Sequence, residues 1–229
     1  MIGIFDSGVG GLTALFEVRR LFPRENVVYL ADRENAPYGT KSRAEILLCV
    51  KRNISRLRAL GAEKILIACC TASTLYPELN EDERNISIPI IYPTAHAALR
   101  ATKSRRIGII ATRATVRSRA FSRALSDFGE KTKTLECEAQ ALVGMIEGGL
   151  RDGARLSAED TEILRDILLP IRSFGADTLI LGCTHFPHLS GHISEMLPEV
   201  ELINPSLEGA TELKKIKTET VEDGRTVYL

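Results

Sequence analysis

The sequence predicts an α/β fold made of two pseudo-symmetric α/β domains, with largely parallel sheets facing across a central cleft. Short apolar runs alternate with longer amphipathic segments along the 229 residues, which is typical of strands alternating with helices. The apolar runs have no internal polar alternation, as expected for strands covered on both faces. We predict strands at residues 2–5, 26–30, 64–68, 89–92, 106–111, 178–182 and 200–204, and helices near 11–21, 42–59, 115–127, 138–150, 158–173 and 208–215.

An internal repeat is the second observation that predicts two domains. The stretch "GAEKILIAC" (61–69) aligns without gaps to "GADTLILGC" (175–183), and "IGIFDS" (2–7) matches "IGIIAT" (107–112). Each half therefore begins with an IGI strand and later supplies a strand that ends in cysteine, which favours duplication over chance similarity.

The domain boundary is predicted near "IYPTAHAA", where a proline follows a strand. Residues 1–94, completed by the C-terminal segment 206–229, form the first predicted domain, and residues 95–205 form the second. The polar tail is expected to end in an edge strand that returns to the first domain.

Charge and composition exclude several classes of partner. Thirty basic residues balance thirty acidic residues, so electrostatics give no reason to expect a nucleic acid or an anionic membrane as partner. No apolar stretch approaches the roughly 20 residues of a membrane-spanning helix. The first residues, "MIGIFDSGVGG", have neither a basic region nor a long apolar region. We therefore expect a cytoplasmic protein whose five cysteines are reduced thiols.

The two strand-terminal cysteines are the first candidates for chemistry. Ligands of parallel α/β sheets bind beyond the carboxyl ends of the strands, where Cys69 ("CCTAS") and Cys183 ("CTHFPH") lie. In the repeat, Cys69 matches Cys183, whereas Cys70 matches Thr184. Two facing domains would place the matched thiols on opposite walls of one cleft, where one could remove a proton while the other delivers one. A thiol pKa of about 8.5 makes both protonation states accessible.

Two loops are predicted to supply the ligand contacts. The glycine-rich stretch "FDSGVGGLTAL" (5–15) matches neither GxGxxG nor a P-loop, so a dinucleotide or nucleoside triphosphate site is not favoured. Its glycines instead favour backbone N–H groups that approach an anion such as a carboxylate. Asp6 either orients a thiol or caps the following helix. Tyr38, in "LADRENAPYGTKS" (30–42), either faces a ligand or belongs to a structural turn.

Taken together, these segments resemble the glutamate racemase family, which belongs to the cofactor-independent aspartate/glutamate racemase superfamily. The stretches that carry the resemblance are "IGIFDSGVGGLTAL", "YLADRENAPYGTKS", "LIACCTAS", "IGIIATRATVRS" and "LILGCTHFPHL". The resemblance implies glutamate as substrate, D-glutamate for peptidoglycan synthesis as product, neither pyridoxal phosphate nor a metal, and a homodimer.

The resemblance also implies roles for individual residues. Cys69 and Cys183 take the positions of the proton-transferring cysteines, Asp6 that of an acid supporting the first thiol, His185 that of a histidine beside the second, and Glu147 that of a glutamate near this histidine. The implied substrate-binding positions are Ser7, Pro37, Tyr38, Gly39, Cys70, Thr71 and Thr184.

One position departs from the family pattern. Cys70 stands where the family reads Ala-Cys-Asn-Thr-Ala-Ser, and that Asn contacts the amino acid. A thiol hydrogen-bonds more weakly than an amide, and the lost bond to a charged group would cost on the order of 1.5–3 kcal/mol. The alternative is therefore a racemase or isomerase of another amino acid, or a catalytically altered binding relative.

Two further alternatives remain open at the level of sequence. Cys183, His185 and His188 offer metal ligands that Cys69 or Cys70 would complete, although no CxxC pair occurs. A fold relative that uses one cysteine, such as a decarboxylase, would leave the matched second cysteine unexplained.

Overall fold

A computed structural model describes residues 1–129, 131–149, 155–215 and 224–229. The elements, in chain order, are β1 (Ile2–Asp6), α1 (Leu12–Leu21), β2 (Val27–Ala31), α2 (Arg43–Ala59), β3 (Lys64–Ile67), α3 (Cys70–Ser73), α4 (Glu81–Ile86), β4 (Ser87–Pro89), α5 (Ile91–Ala101), β5 (Arg106–Ala111), α6 (Arg113–Ser118), α7 (Ala120–Asp127), β6 (Lys133–Glu138), α8 (Gln140–Glu147), α9 (Ala158–Phe174), β7 (Thr178–Gly182), α10 (Ser190–Met196), β8 (Glu201–Ile203), α11 (Pro205–Leu213) and β9 (Thr226–Tyr228).

The strands form two sheets in which every described pairing is parallel. The first sheet has the order β4-β3-β1-β2-β9 and the second β6-β5-β7-β8. Helices connect most successive strands, as parallel pairing requires. The predicted α/β class with parallel sheets is confirmed.

The two halves of the repeat have the same strand pairing. β1 pairs with β3 so that Gly3 lies opposite Ile65, and β5 pairs with β7 so that Gly108 lies opposite Leu179. These are matched positions of the repeated sequences. The strands that precede Cys69 and Cys183 therefore occupy equivalent places, each beside an IGI strand.

The Gly-Ala at the start of each repeated segment ends a long helix. Gly61, after α2, has a φ of 89°, and Gly175, after α9, has a φ of 70°. Glycine adopts this left-handed conformation without the steric cost that a Cβ imposes, so it terminates helices readily. At their other ends, Ser42 and Ser157 cap α2 and α9 by accepting backbone N–H bonds. The repeat thus encodes a helix end, a turn and a buried strand.

Several predicted elements need correction. The apolar run 89–92 is not a strand: β4 ends at Pro89 and Ile91 begins α5, whose Pro93 is tolerated in the first turn. The predicted helix 115–127 is two helices, because Arg119 adopts a φ of 51° between α6 and α7. The boundary predicted between residues 94 and 95 falls within α5, and the division into domains stays a prediction.

Five elements are not predicted from the sequence. β6 lies at the edge of its sheet and is only half-buried, so it lacks the apolar run of a central strand. α3, α4 and α10 are short, and the sequence of α5 predicts a strand and a domain boundary instead. The predicted helix near 138–150 is α8, and its residue 150 lies outside the described residues. The predicted helix near 208–215 is α11, which begins earlier, at Pro205.

The C-terminal part of the chain connects the two sheets. α11 follows β8 of the second sheet and packs against α1 and α5. The hydroxyls of Thr13 in α1 and Ser206 in α11 lie 2.6 Å apart. The predicted edge strand is present, since β9 pairs with β2 in the first sheet. Within the described ranges, none of the helices has the length and apolar character needed to cross a membrane.

Candidate active site

A small, partly open cavity lies where the carboxyl ends of the two sheets meet. Its volume is about 20 Å³, roughly the space of one water molecule. The predicted site residues that line it are Ser7, Pro37, Tyr38, Gly39, Cys69, Cys70, Thr71, Glu147, Cys183, Thr184 and His185, and the lining residues that sequence reasoning did not single out are Gly8, Ala36, Thr112, Gln140 and Val143. Among the predicted site residues, Asp6 is the one that does not line the cavity; it is fully buried next to it.

Cys69 forms the first wall together with hydroxyl and backbone groups. It is the N-cap of α3, where its Sγ accepts the N–H of Ala72 at 3.5 Å, and its thiol lies 3.5 Å from the Oγ of Ser7. Burial, reinforced by the nearby charge of Asp6, raises the pKa of Cys69 to about 11, although the bonds to Ala72 and Ser7 act in the opposite direction. At neutral pH this thiol is protonated.

Cys183 forms the second wall, and an imidazole lies beside it. Its Sγ is 3.5 Å from Nδ1 of His185, whose Nε2 is 3.1 Å from Oε1 of Glu147. A carboxylate only accepts hydrogen bonds, so the Glu147 contact assigns the ring hydrogen to Nε2 and leaves Nδ1 free to accept the thiol proton. Burial raises the pKa of Cys183, against the lowering effect of the His185 backbone N–H. The second wall therefore holds a proton donor, the Cys183 thiol, and a group that can accept this proton, Nδ1 of His185.

Asp6 forms hydrogen bonds with residues of both walls. The buried carboxylate accepts the N–H of Gly8 at 3.0 Å, the N–H of Gly11, and the hydroxyl of Thr184 at 3.2 Å. Burial raises its pKa, although the charge of His185 and these hydrogen bonds oppose the shift. The hydrogen bonds of Asp6 thus hold the glycine-rich loop and Thr184, and it influences Cys69 through its charge.

The glycine-rich loop packs directly on the turn that carries the second thiol. A Cβ built on Gly10 would lie 2.4 Å from Nδ1 of His185 and 2.7 Å from Oγ1 of Thr184. Such distances leave no room for a side chain. A glycine at this position is therefore required by the close approach of the two walls.

The hydroxyl of Tyr38 is already used by a network behind the cavity. It donates to Oδ2 of Asp32 at 2.5 Å, and Asn53 and Arg52 donate to the same carboxylate at 3.2 and 2.8 Å. Burial would raise the pKa of Asp32, but these bonds, led by that of Tyr38, lower it. Tyr38 therefore anchors the turn Tyr38–Thr40, and what this turn can offer a ligand is its backbone.

Three threonine hydroxyls meet at one side of the cavity. Thr71 lies 2.9 Å from Thr112 and 3.1 Å from Thr115, and the last two are 2.9 Å apart. Thr112 is a lining residue that sequence reasoning missed, although the alignment of "IGIFDS" with "IGIIAT" pairs it with Ser7. Gln140 and Val143 gave no such signal, because α8, on which they lie, matches no segment of the repeat.

Cys70 points into different surroundings from Cys69. It is 2% exposed, packs with Ile91 and Ala111 in an apolar cluster, and lines the cavity. Burial raises its pKa, and the neighbouring thiols Cys183 and Cys69 add to the shift. A hydrogen bond from its own backbone opposes the shift.

The metal alternative finds no support in the geometry. In residues 1–129, 131–149, 155–215 and 224–229, histidine, cysteine, aspartate and glutamate nowhere form a group of three or more that could hold a metal ion.

Comparisons of the sequence with known proteins match it to racemases. The family model described as Asp/Glu/Hydantoin racemase matches residues 17–213. A glutamate racemase from Desulforudis audaxviator is 40% identical over 90% of this chain and 74% of its own length. A glutamate racemase from Gloeobacter violaceus is 37% identical over 93% of this chain and 79% of its own length.

Solved structures agree with the sequence comparisons. A glutamate racemase isoform from Bacillus anthracis superposes with a TM-score of 0.88 at 32% identity, covering 100% of this chain and 86% of its own. The enzyme from Francisella tularensis in complex with D-glutamate gives 0.89 at 28% identity, covering 99% and 86%. An aspartate racemase from Picrophilus torridus, with a TM-score of 0.65, 20% identity and coverage of 96% of both chains, shares the fold.

Proposed function

The chain belongs to the Asp/Glu/hydantoin racemase family, and we propose that it interconverts L- and D-glutamate by two-base proton transfer through Cys69 and Cys183. The observation that carries the proposal is the pair of thiols on one cavity, each at the end of an equivalent strand. A carbon held between them can lose its proton to one face and regain one from the other, which inverts the stereocentre.

Ionisation of one thiol is the first requirement. Because burial raises both pKa values, the free site holds two thiols at neutral pH. His185 can accept the proton of Cys183, and Glu147 stabilises the resulting imidazolium. The α-ammonium group of the bound amino acid favours the thiolate further, since an opposite charge stabilises the ionised form.

Proton transfer then proceeds between the thiols and the α-carbon. The thiolate takes the α-proton, and the electron pair of the broken C–H bond delocalises into the adjacent carboxylate. The thiol on the opposite wall donates its proton to the other face, so that one thiolate and one thiol are regenerated with their positions exchanged. Preorganised donors around the carboxylate stabilise the carbanion. Every step is assigned to the chain's own residues, in line with the cofactor-independent chemistry that the resemblance implies.

Substrate binding requires the cavity to open and then close again. A volume of about 20 Å³ does not hold an amino acid, so the two walls separate to admit it and close around it to exclude water. We assign the carboxylates to the hydroxyls of Ser7, Thr71 and Thr184 and to the backbone N–H groups of Tyr38 and Gly39, while Pro37, which has no N–H, lines the cavity beside them. Thr112 joins this set because its hydroxyl bonds that of Thr71.

Two comparisons support glutamate as the proposed substrate. The relatives at 34–40% identity carry the name glutamate racemase, and the structure from Francisella tularensis holds D-glutamate. The alternative, another amino acid or an inactive binding relative, is not favoured. A role in peptidoglycan synthesis, a cytoplasmic location and a homodimer stay predictions from the resemblance and the composition.

Isotope exchange tests the proposal directly. L-glutamate incubated with the protein in D₂O should lose its α-proton and its optical rotation together, and Cys69→Ser and Cys183→Ser should each reduce racemisation by about 10³-fold or more. Cys49→Ser, at a buried thiol outside the cavity, is the matched control. Racemisation that survives both substitutions would rule out the two-thiol mechanism, and absence of exchange with glutamate in the unmodified protein would rule out the proposed function.

A further inference from the structure

A second cleft of about 360 Å³ adjoins this cavity. It lies between the turn Tyr38–Thr40 and helix α6, and Gly39 lines both the cleft and the cavity. Thr112, which lines the cavity, immediately precedes Arg113, which lines the cleft. Separation of the turn from α6 would therefore join the two spaces.

The charged residues lining this cleft are all basic: Lys41, Arg43, Arg113 and Arg117. Arg43 pairs with Glu78, and Arg113 lies 2.8 Å from Glu138. Lys41 and Arg117 form no ion pair in the part of the chain that the structure describes, although the exposed Glu45 lies near Lys41. The chain as a whole has a net charge of zero, whereas the charged residues that line this cleft are all of one sign.

We propose that this cleft is an entrance site that captures anionic amino acids before the cavity opens, and that Lys41 and Arg117 supply its attraction. The inference rests on the proposed function, since glutamate carries two carboxylates and a net negative charge. A concave wall bearing one sign of charge concentrates ligands of the opposite sign and accelerates their association. The two paired arginines contribute less, because their neighbouring carboxylates offset their charge.

The entrance site also favours acidic over neutral amino acids. Glutamine has nearly the same shape as glutamate but no net charge, so it gains nothing from the cleft. Discrimination would then begin before the substrate reaches the thiols, in addition to any contact inside the cavity.

Steady-state racemisation at two ionic strengths tests this site. With Lys41→Gln and Arg117→Gln combined, KM for L-glutamate should rise about fivefold to tenfold at about 0.01 M ionic strength, and the difference should shrink at about 0.15 M, where the screening length is near 8 Å. The loss should appear in KM rather than in kcat, because both side chains lie outside the cavity that holds the thiols.

Two matched variants separate charge from other effects. Lys41→Arg with Arg117→Lys keeps both charges and should behave as the unmodified protein. Arg58→Gln with Lys131→Gln removes two exposed cations near the amino ends of β3 and β6, at the opposite end of the sheets, and should leave KM unchanged. Equal KM values for the Lys41/Arg117 and Arg58/Lys131 variants, or a KM independent of salt, would overturn the entrance site while leaving the racemase proposal intact.

Equilibrium binding of glutarate, a dicarboxylate without an α-proton, provides a readout independent of catalysis. Its affinity should fall severalfold in the Lys41→Gln, Arg117→Gln protein at low ionic strength and not in the Arg58/Lys131 control. If the protein does not racemise glutamate, the glutarate affinities alone decide for or against the entrance site.

Discussion

The two walls of the cavity have the same scaffold but different chemistry. Cys69 and Cys183 follow strands with identical registers, and burial raises the pKa of both thiols. Beyond the cysteines the walls diverge, because Cys69 caps a short helix beside Ser7, whereas Cys183 is followed by a turn that brings His185 to its sulfur. The repeat fixes where the thiols are, and the residues after it decide which thiol has a partner that can take its proton.

On the basis of this difference, we propose that the thiol of the second wall, Cys183, ionises first. A serine hydroxyl does not accept a proton to form a cation at neutral pH, whereas an imidazole does. Asp6 adds a negative charge that opposes a thiolate on either wall. The His185–Glu147 pair therefore offsets part of the free-energy cost of ionising a buried thiol near Asp6.

The largest expected effect comes from removing the imidazole. His185→Gln should lower kcat by about 10²–10⁴, the usual contribution of a general acid–base group, whereas Ser7→Ala on the first wall should lower it less than tenfold. Steady-state kinetics with both enantiomers measure this. Because enantiomers have equal free energies in water, the two kcat/KM values stay equal, and the asymmetry of the walls should appear in the separate kcat values. Similar losses in the two variants would contradict the assignment.

A steric change at the contact between the walls should have the next largest effect. Gly10→Ala forces a methyl group against Nδ1 of His185, which we expect to lower the free energy of unfolding by about 1–3 kcal/mol and to reduce kcat. Gly8→Ala is the matched control, since its Cβ would meet nothing closer than Oε1 of Glu147 at 4.0 Å. Urea unfolding compares the two, and equal stabilities would show that the walls do not pack as closely as described.

The pH dependence of stability should reveal the raised thiol pKa. A folded-state pKa above the unfolded value contributes stability that is complete below the unfolded pKa, near 8.5, and is lost as pH rises towards the folded value of about 11. For Cys69 this contribution is about 3 kcal/mol, since one pKa unit corresponds to about 1.4 kcal/mol. Urea unfolding from pH 7 to 11 should therefore show a smaller loss of stability in Cys69→Ala than in the unmodified protein. Parallel curves would place this thiol in a more solvated site.

The smallest effect is expected at the cysteine next to Cys69. Cys70 packs with Ile91 and Ala111 in the apolar cluster and is assigned no proton-transfer role, so Cys70→Ala should change kcat by only a few-fold. Cys70→Asn, which restores an amide at this position, should lower KM for glutamate, because an amide bonds charged groups better than a thiol. A loss in Cys70→Ala as large as that in Cys69→Ser would give Cys70 a part in proton transfer.

The sequence by itself determined the fold class, the repeat and the two strand-terminal thiols. Apolar runs and the Gly-Ala helix ends are local signals, and parallel strands necessarily bring their carboxyl ends to one edge. The repeat by itself therefore pairs Cys69 with Cys183, and the same alignment pairs Thr112 with Ser7.

Only the tertiary structure decided how the two halves meet. The helix α8 has no counterpart in the repeated segments, so Gln140 and Val143, which lie on it, had no signal. The hydrogen bond from Thr184 to Asp6 spans 178 positions of sequence, and the fit of Gly10 against His185 depends on two sheets docking at one distance. Such contacts arise from packing between distant segments, which propensity and periodicity do not encode.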